Sequence, residues 1–103
     1  MRVAVDGATV AVASFERDVA HQRPTLLWLH GAGMDHTVWA LQARAKAFAR
    51  WNSLAPDLPG HGGSAGPTAP TIEAAAGWLL RLLDALALER VALAGHSMGA
   101  LIA

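Results

Sequence analysis

Val91-Ala92-Leu93-Ala94-Gly95-His96-Ser97-Met98-Gly99-Ala100-Leu101-Ile102 is the stretch on which the reading of the fold turns. Residues 91–94 form a short apolar run of strand length, and the apolar residues after Gly99 begin as a helix would. Between them, Gly95-x-Ser97-x-Gly99 is the pattern of a sharp strand-to-helix turn that lifts a serine hydroxyl clear of the sheet. Both glycines have a steric reason. Such a turn is strained and brings neighbouring backbone too close for side chains at the two positions flanking the serine. The free N–H groups opening the next helix favour negative charge at the serine oxygen. Ser97 is therefore the candidate nucleophile, against the plainer reading of an ordinary Gly-Ser turn.

A second loop has the same placement. Thr25 to Leu29 is an unbroken apolar run, as expected of a strand buried on both faces, and it feeds directly into His30-Gly31-Ala32-Gly33. Acyl transfer needs two N–H donors for the oxyanion. The candidates are the N–H groups of Ala32, in this loop beside Gly31, and of Met98, immediately after the serine. Removing one such donor typically costs about 2.7 to 4 kcal/mol of transition-state stabilisation. Alone, the first loop is equally a glycine turn after a strand. Two such loops at the C-terminal ends of parallel strands favour one shared site.

The flanking sequence supplies the frame. Val3 to Val5 and Thr9 to Phe15 read as strands around an Asp6-Gly7 turn. Residues 16–24 read as a polar connection. From Thr37 the period becomes helical, with Val38, Leu41, Ala45 and Phe48 as the apolar face of a first crossover helix. Trp51 to Pro56 returns as a strand, and Asp57 to Ser64 is loop chemistry. Thr71 caps a second helix, with Glu73 in its first turn, Ile72, Ala76, Leu79, Leu83 and Leu86 as its stripe, and Arg81 and Asp84 toward water. The expected fold is α/β, a three-layer, mostly parallel sheet in one domain spanning 1–103.

Composition excludes several classes. The 103 residues are 53% hydrophobic and 16% charged, as in a globular chain, and eight basic residues balance eight acidic ones. That balance offers no field for nucleic acid or an anionic membrane, so the expected partner is a small-molecule substrate, with oligomeric state unassigned. No cysteine is present, and the histidines are scattered singly without metal-ligand spacing, so neither a metal nor a cofactor is expected. Gly31-Ala32-Gly33 after a strand raises a dinucleotide-binding reading, but His36 stands where the third glycine would be needed for close helix packing. No GxxxxGK[ST] string exists. The N-terminus lacks a sustained apolar segment, and residues 74–88, broken by Arg81 and Asp84, fall short of the roughly 20 residues of a bilayer span. A cytoplasmic location is the expectation.

WLHGAGMDHTVW, APDLPGHGGS and LAGHSMG, in this order, resemble the α/β-hydrolase fold superfamily, and its bacterial serine hydrolases most. The resemblance covers nearly the whole chain. It implies Ser97 as nucleophile, Ala32 and Met98 as oxyanion donors, Asp57 to Ser64 as a structural loop, and a packing or polar support role for His96. It also implies an acid and a histidine after the serine. Only Met98 to Ala103 follow Ser97, and they contain neither; His21, His30, His36, His61 and His96 all lie upstream. The expectation is the N-terminal part of a hydrolase, truncated after the elbow and inactive alone, because loss of the base costs roughly a millionfold in turnover. The alternative is a non-catalytic remnant that binds a partner through its sheet edge. Ester cleavage, carbon–carbon bond hydrolysis, lactone opening and acyl transfer all use this half of a site, and these residues choose none of them. Trp39, Trp51 and Trp78 read as packing, with Trp39 near enough to the oxyanion loop to be a candidate pocket wall.

Overall fold

The computed structural model describes residues 1–15 and 22–103. Most of the polar connection read over 16–24, with His21, lies outside them. The chain opens with a hairpin, β1 (Arg2–Val5) and β2 (Ala8–Ser14), paired antiparallel with Val5 opposite Ala8. Asp6 and Gly7 turn it with φ of 54° and 77°. Both angles are positive, as a two-residue turn matching strand twist requires.

β3 (Thr25–Leu29), β4 (Asn52–Pro56) and β5 (Ala92–Gly95) complete a sheet of order β1-β2-β4-β3-β5. β3 pairs parallel with both β4 and β5, whereas β2 pairs antiparallel with β1 and β4. The sheet is therefore mixed. Only β2 runs against the others, which is how a mostly parallel set of strand directions coexists with two antiparallel pairings. The short strand read at 91–94 lies one residue further along.

Layers form on both faces because successive strand side chains point opposite ways. Leu27 and Leu29 of β3 and Leu54 of β4 meet α2 (Ile72–Ala85) and α3 (Met98–Ile102) through Trp78, Leu79, Leu82 and Ile102. Leu26, Trp28 and Ala55 point the other way, toward Ala43, Trp39 and Phe48. Fully burying one such side chain is worth about 1.5–3 kcal/mol. Thr71 caps α2, its side chain accepting the Ala74 N–H at 3.0 Å. The buried stripe of α2 centres on Ala75, Trp78, Leu79 and Leu82, with Ile72, Leu83 and Leu86 flanking it. The stripe expected from the sequence is thus rotated toward the indole of Trp78.

The first crossover departs further from expectation. Instead of one helix, residues 36–48 form a 3-10 turn (His36–Trp39), the short α1 (Ala40–Ala43) and a second 3-10 turn (Lys46–Phe48). Leu41, expected on the apolar face, is 85% exposed, and Val38 is exposed as well. The cause is aromatic packing. Trp39 and Phe48 both pack against Trp28, tilted and edge-on respectively, with ring centroids 4.9 and 5.1 Å away. Nine positions apart, they would stand on opposite sides of a continuous helix at about 100° per residue. A break at Ala45, with φ −63° and ψ 145°, lets both reach the same indole.

Candidate active site

β5 ends at Gly95, and the chain turns within three residues into α3. Ser97, at the apex, has φ 56° and ψ −116°, a combination that costs a non-glycine residue about 1–3 kcal/mol. A Cβ at Gly95 would lie 2.4 Å from the Gly99 carbonyl oxygen, and one at Gly99 would lie 2.2 Å from that of Leu29. Neither atom can yield, since both are backbone. The turn is tied to β3 by the His96 N–H, which donates to the Leu29 carbonyl at 3.0 Å. Ser97 is exposed, and among the described residues its hydroxyl meets no hydrogen-bonding side chain.

The loop after β3 lies against this turn. A Cβ on Gly31 would sit 3.3 Å from the Ser97 Cβ and 3.3 Å from the His96 carbonyl oxygen, so glycine lets the loop reach the serine. The Met34 N–H donates to the Gly31 carbonyl at 3.2 Å, and Gly33 between them has φ 74°, the geometry of a turn that needs glycine at its third position. Ala32 occupies the second, exposed position. Its N–H has no acceptor among the described residues. Met98 opens α3, where an N–H has no intrahelical partner. Ala32 and Met98 also line one cavity of about 280 Å3, walled by Leu58, Pro59, Ala69 and Ile102 among others. Trp39 is not part of that wall; it packs beside Trp28, with its ring 6.5 Å from that of exposed His96.

The other histidines are committed elsewhere. His30 is fully buried: Nδ1 donates to the Gly31 carbonyl at 2.7 Å, which leaves Nε2 to accept the Leu58 N–H at 3.0 Å. Burial pushes its pKa below the usual imidazole value, with the nearby His61 ring acting in the same direction. His61 Nδ1 is bonded to the Pro59 carbonyl at 2.9 Å. His36 Nδ1 donates to Asp57 Oδ1 at 2.9 Å, and the same oxygen accepts the His36 backbone N–H at 2.8 Å. Asp57 Oδ2 takes the Gly63 N–H at 2.9 Å. Burial alone would raise the Asp57 pKa, but these N–H donors outweigh it and hold the carboxyl below its ordinary value. Local spacing sets His36 where a dinucleotide fingerprint needs glycine and Asp57 at the start of a loop, with nothing to link the two. Their contact spans 21 residues, and no local pattern announces it. Among the described residues no group of three or more His, Asp or Glu could hold a metal ion.

The sequence pattern of the α/β hydrolase fold matches residues 24–103. This chain belongs to that family. It is 40% identical over 82 residues to an uncharacterised protein of Mycobacterium tuberculosis, a match covering 79% of this chain and 24% of that relative. An epoxide hydrolase of Caballeronia sordidicola is 35% identical over 80 residues, covering 75% of this chain and 24% of the relative. Among solved structures, a bacterial membrane phospholipase A superposes with a TM-score of 0.89 at 33% identity, over 100% of this chain and 33% of that one. The enol-lactonase of Burkholderia xenovorans LB400 superposes with a TM-score of 0.84 at 33% identity, over 99% of this chain and 39% of that one. The chain thus spans about a quarter of the length of these curated relatives. Among the described residues no helix is long and apolar enough to cross a membrane.

Proposed function

We propose that these residues carry the nucleophile and oxyanion half of a serine-dependent hydrolase acting on an ester or related acyl compound. The observation that carries the reading is an exposed serine on a strained backbone turn, against which the Gly31 loop packs, flanked in sequence by the N–H groups of Met98 and, across that contact, of Ala32, both left without acceptors by the described residues. In that reading Ser97 Oγ attacks the substrate carbonyl carbon, and the carbonyl oxygen takes up negative charge between the two N–H groups. The neighbours named phospholipase and enol-lactonase support an acyl substrate; an epoxide, named in the sequence relative, has no carbonyl for this arrangement to polarise.

A serine hydroxyl needs a base in hydrogen-bond reach. Every described histidine except His96 is bonded to another protein group, and His96 packs edge-on to Trp39. The base and its acid partner are therefore placed in protein beyond these residues, and the 103-residue chain alone should hydrolyse p-nitrophenyl esters no faster than its Ser97→Ala variant. The deciding experiment is fluorophosphonate capture from the source cells, followed by peptide mapping. Modification of the peptide that begins at Val91, on Ser97, supports the reading. Recovery of that peptide unmodified, while other serine hydrolases in the lysate are labelled, would sink it and favour a non-catalytic, partner-binding role.

A further inference from the structure

Asp57 is 1% exposed and takes no part in the chemistry proposed for Ser97, yet three N–H groups converge on its carboxylate. Its backbone is held independently of His36. The Asp57 N–H donates to the Ala11 carbonyl at 2.9 Å, its carbonyl accepts the Ser64 hydroxyl at 2.6 Å, and that hydroxyl in turn accepts the Ala11 N–H at 3.0 Å. Gly62 crowds the carboxylate so closely that a Cβ there would lie 2.4 Å from Oδ2. Asp57 is thus a fixed post at the end of β4.

The loop after β3 is pinned to this post and its neighbour. His30, at one end, accepts from the Leu58 N–H, and His36, at the other, donates twice to Asp57. Residues 31–35 are suspended between the two pins, with Ala32 among them. Hydrogen bonds to an ionised carboxylate are about twice as strong as neutral ones, so the His36 end is the firmer. We propose that Asp57, acting through His36, is a positioning residue that sets where the Ala32 N–H stands relative to Ser97. This rests on the reading of Ser97 as nucleophile.

His36→Ala removes the imidazole from a half-exposed position while keeping the backbone N–H, so the fold should survive. His36→Asn restores a side-chain N–H near the place of Nδ1. Both changes are made in the chromosomal gene, so that the protein keeps its natural length, beside Ser97→Ala. For His36→Ala we expect kcat on p-nitrophenyl butyrate to fall about tenfold or more, as for a misplaced oxyanion donor, with KM within about twofold. Amide exchange across residues 31–35 should quicken, and His36→Asn should recover most of kcat. An unchanged kcat in His36→Ala overturns the proposal, as does a loss that Asn fails to recover while loop exchange is unaltered. If Ser97→Ala hydrolyses as fast as wild type, or wild type is inert, the nucleophile reading fails instead. Exchange across 31–35 then decides the positioning claim by itself, and an unaltered rate overturns it.

Discussion

The turn after β5 and the loop after β3 end at the same site, but the first is shaped where side chains are missing and the second where they are present. At the turn, the space a Cβ would need at Gly95 is taken by the backbone of Gly99 and Ala100, and at Gly99 by that of Leu29 and His30, while Ser97 stands at positive φ. In the loop, only Gly31 is crowded against the turn, a Cβ there coming no closer than 3.3 Å; what fixes it is two imidazoles bonded to Leu58 and Asp57. A steric device has no titratable part and fails outright when a methyl group is added. A hydrogen-bonded device fails by degrees and responds to pH.

The largest effect expected from this contrast is at Gly99. Gly99→Ala drives a Cβ to 2.2 Å from the Leu29 carbonyl, and should cost on the order of 3 kcal/mol or more, read as a lowered urea midpoint or loss of cooperative unfolding. Gly31→Ala, at 3.3 Å, should cost clearly less. Equal costs would break the distinction between the two loops.

An intermediate effect is expected at His30. Its buried imidazole takes up a proton less readily than in the unfolded chain, so the unfolded state binds protons first as pH falls. The stability it contributes is complete above the ordinary value of 6.5 and is lost on acidification below it. His30→Gln should cost about 1–3 kcal/mol near neutral pH, through imperfectly paired buried groups, and should flatten the stability profile in that window. Asp57, also shifted down, should add a second loss only below 3.8. Urea midpoints measured across both windows check this. A wild-type profile without the step near 6.5 would show that the loop has no titratable pin.

The smallest effect, and of opposite sign, is at Ser97. Ser97→Gly removes the candidate nucleophile but relieves the strain at φ 56°, and should stabilise the chain by about 1 kcal/mol after allowing for the entropy of an added glycine. A destabilised variant would mean that the turn holds no strain at the serine.

How much of this was legible in the sequence follows from the same contrast. The elbow was readable because steric exclusion writes itself as glycine at fixed spacing. The hairpin was readable because Asp6-Gly7 accepts positive φ, and the α2 cap because Thr71 bonds only three residues ahead. The first crossover was not. Its period pointed to a helix with Leu41 on the inner face, but the demand that Trp39 and Phe48 both reach Trp28 broke that helix and left Leu41 in solvent. The rotation of the α2 stripe toward Trp78 has a similar origin, since the sheet face it packs against decides which side is buried.

By itself, the sequence determined the alternation of strands and helices, the glycines at both loops, and the residues Ser97, Ala32 and Met98 as candidates for one site. These depend on backbone sterics and local period, which act within a few residues. Only the tertiary structure decided that β2 runs against its neighbours, that the crossover is broken, and that His36 and Asp57 meet from 21 residues apart. Those features depend on which surfaces meet when the sheet closes against its helices, and no local spacing along the chain encodes that meeting.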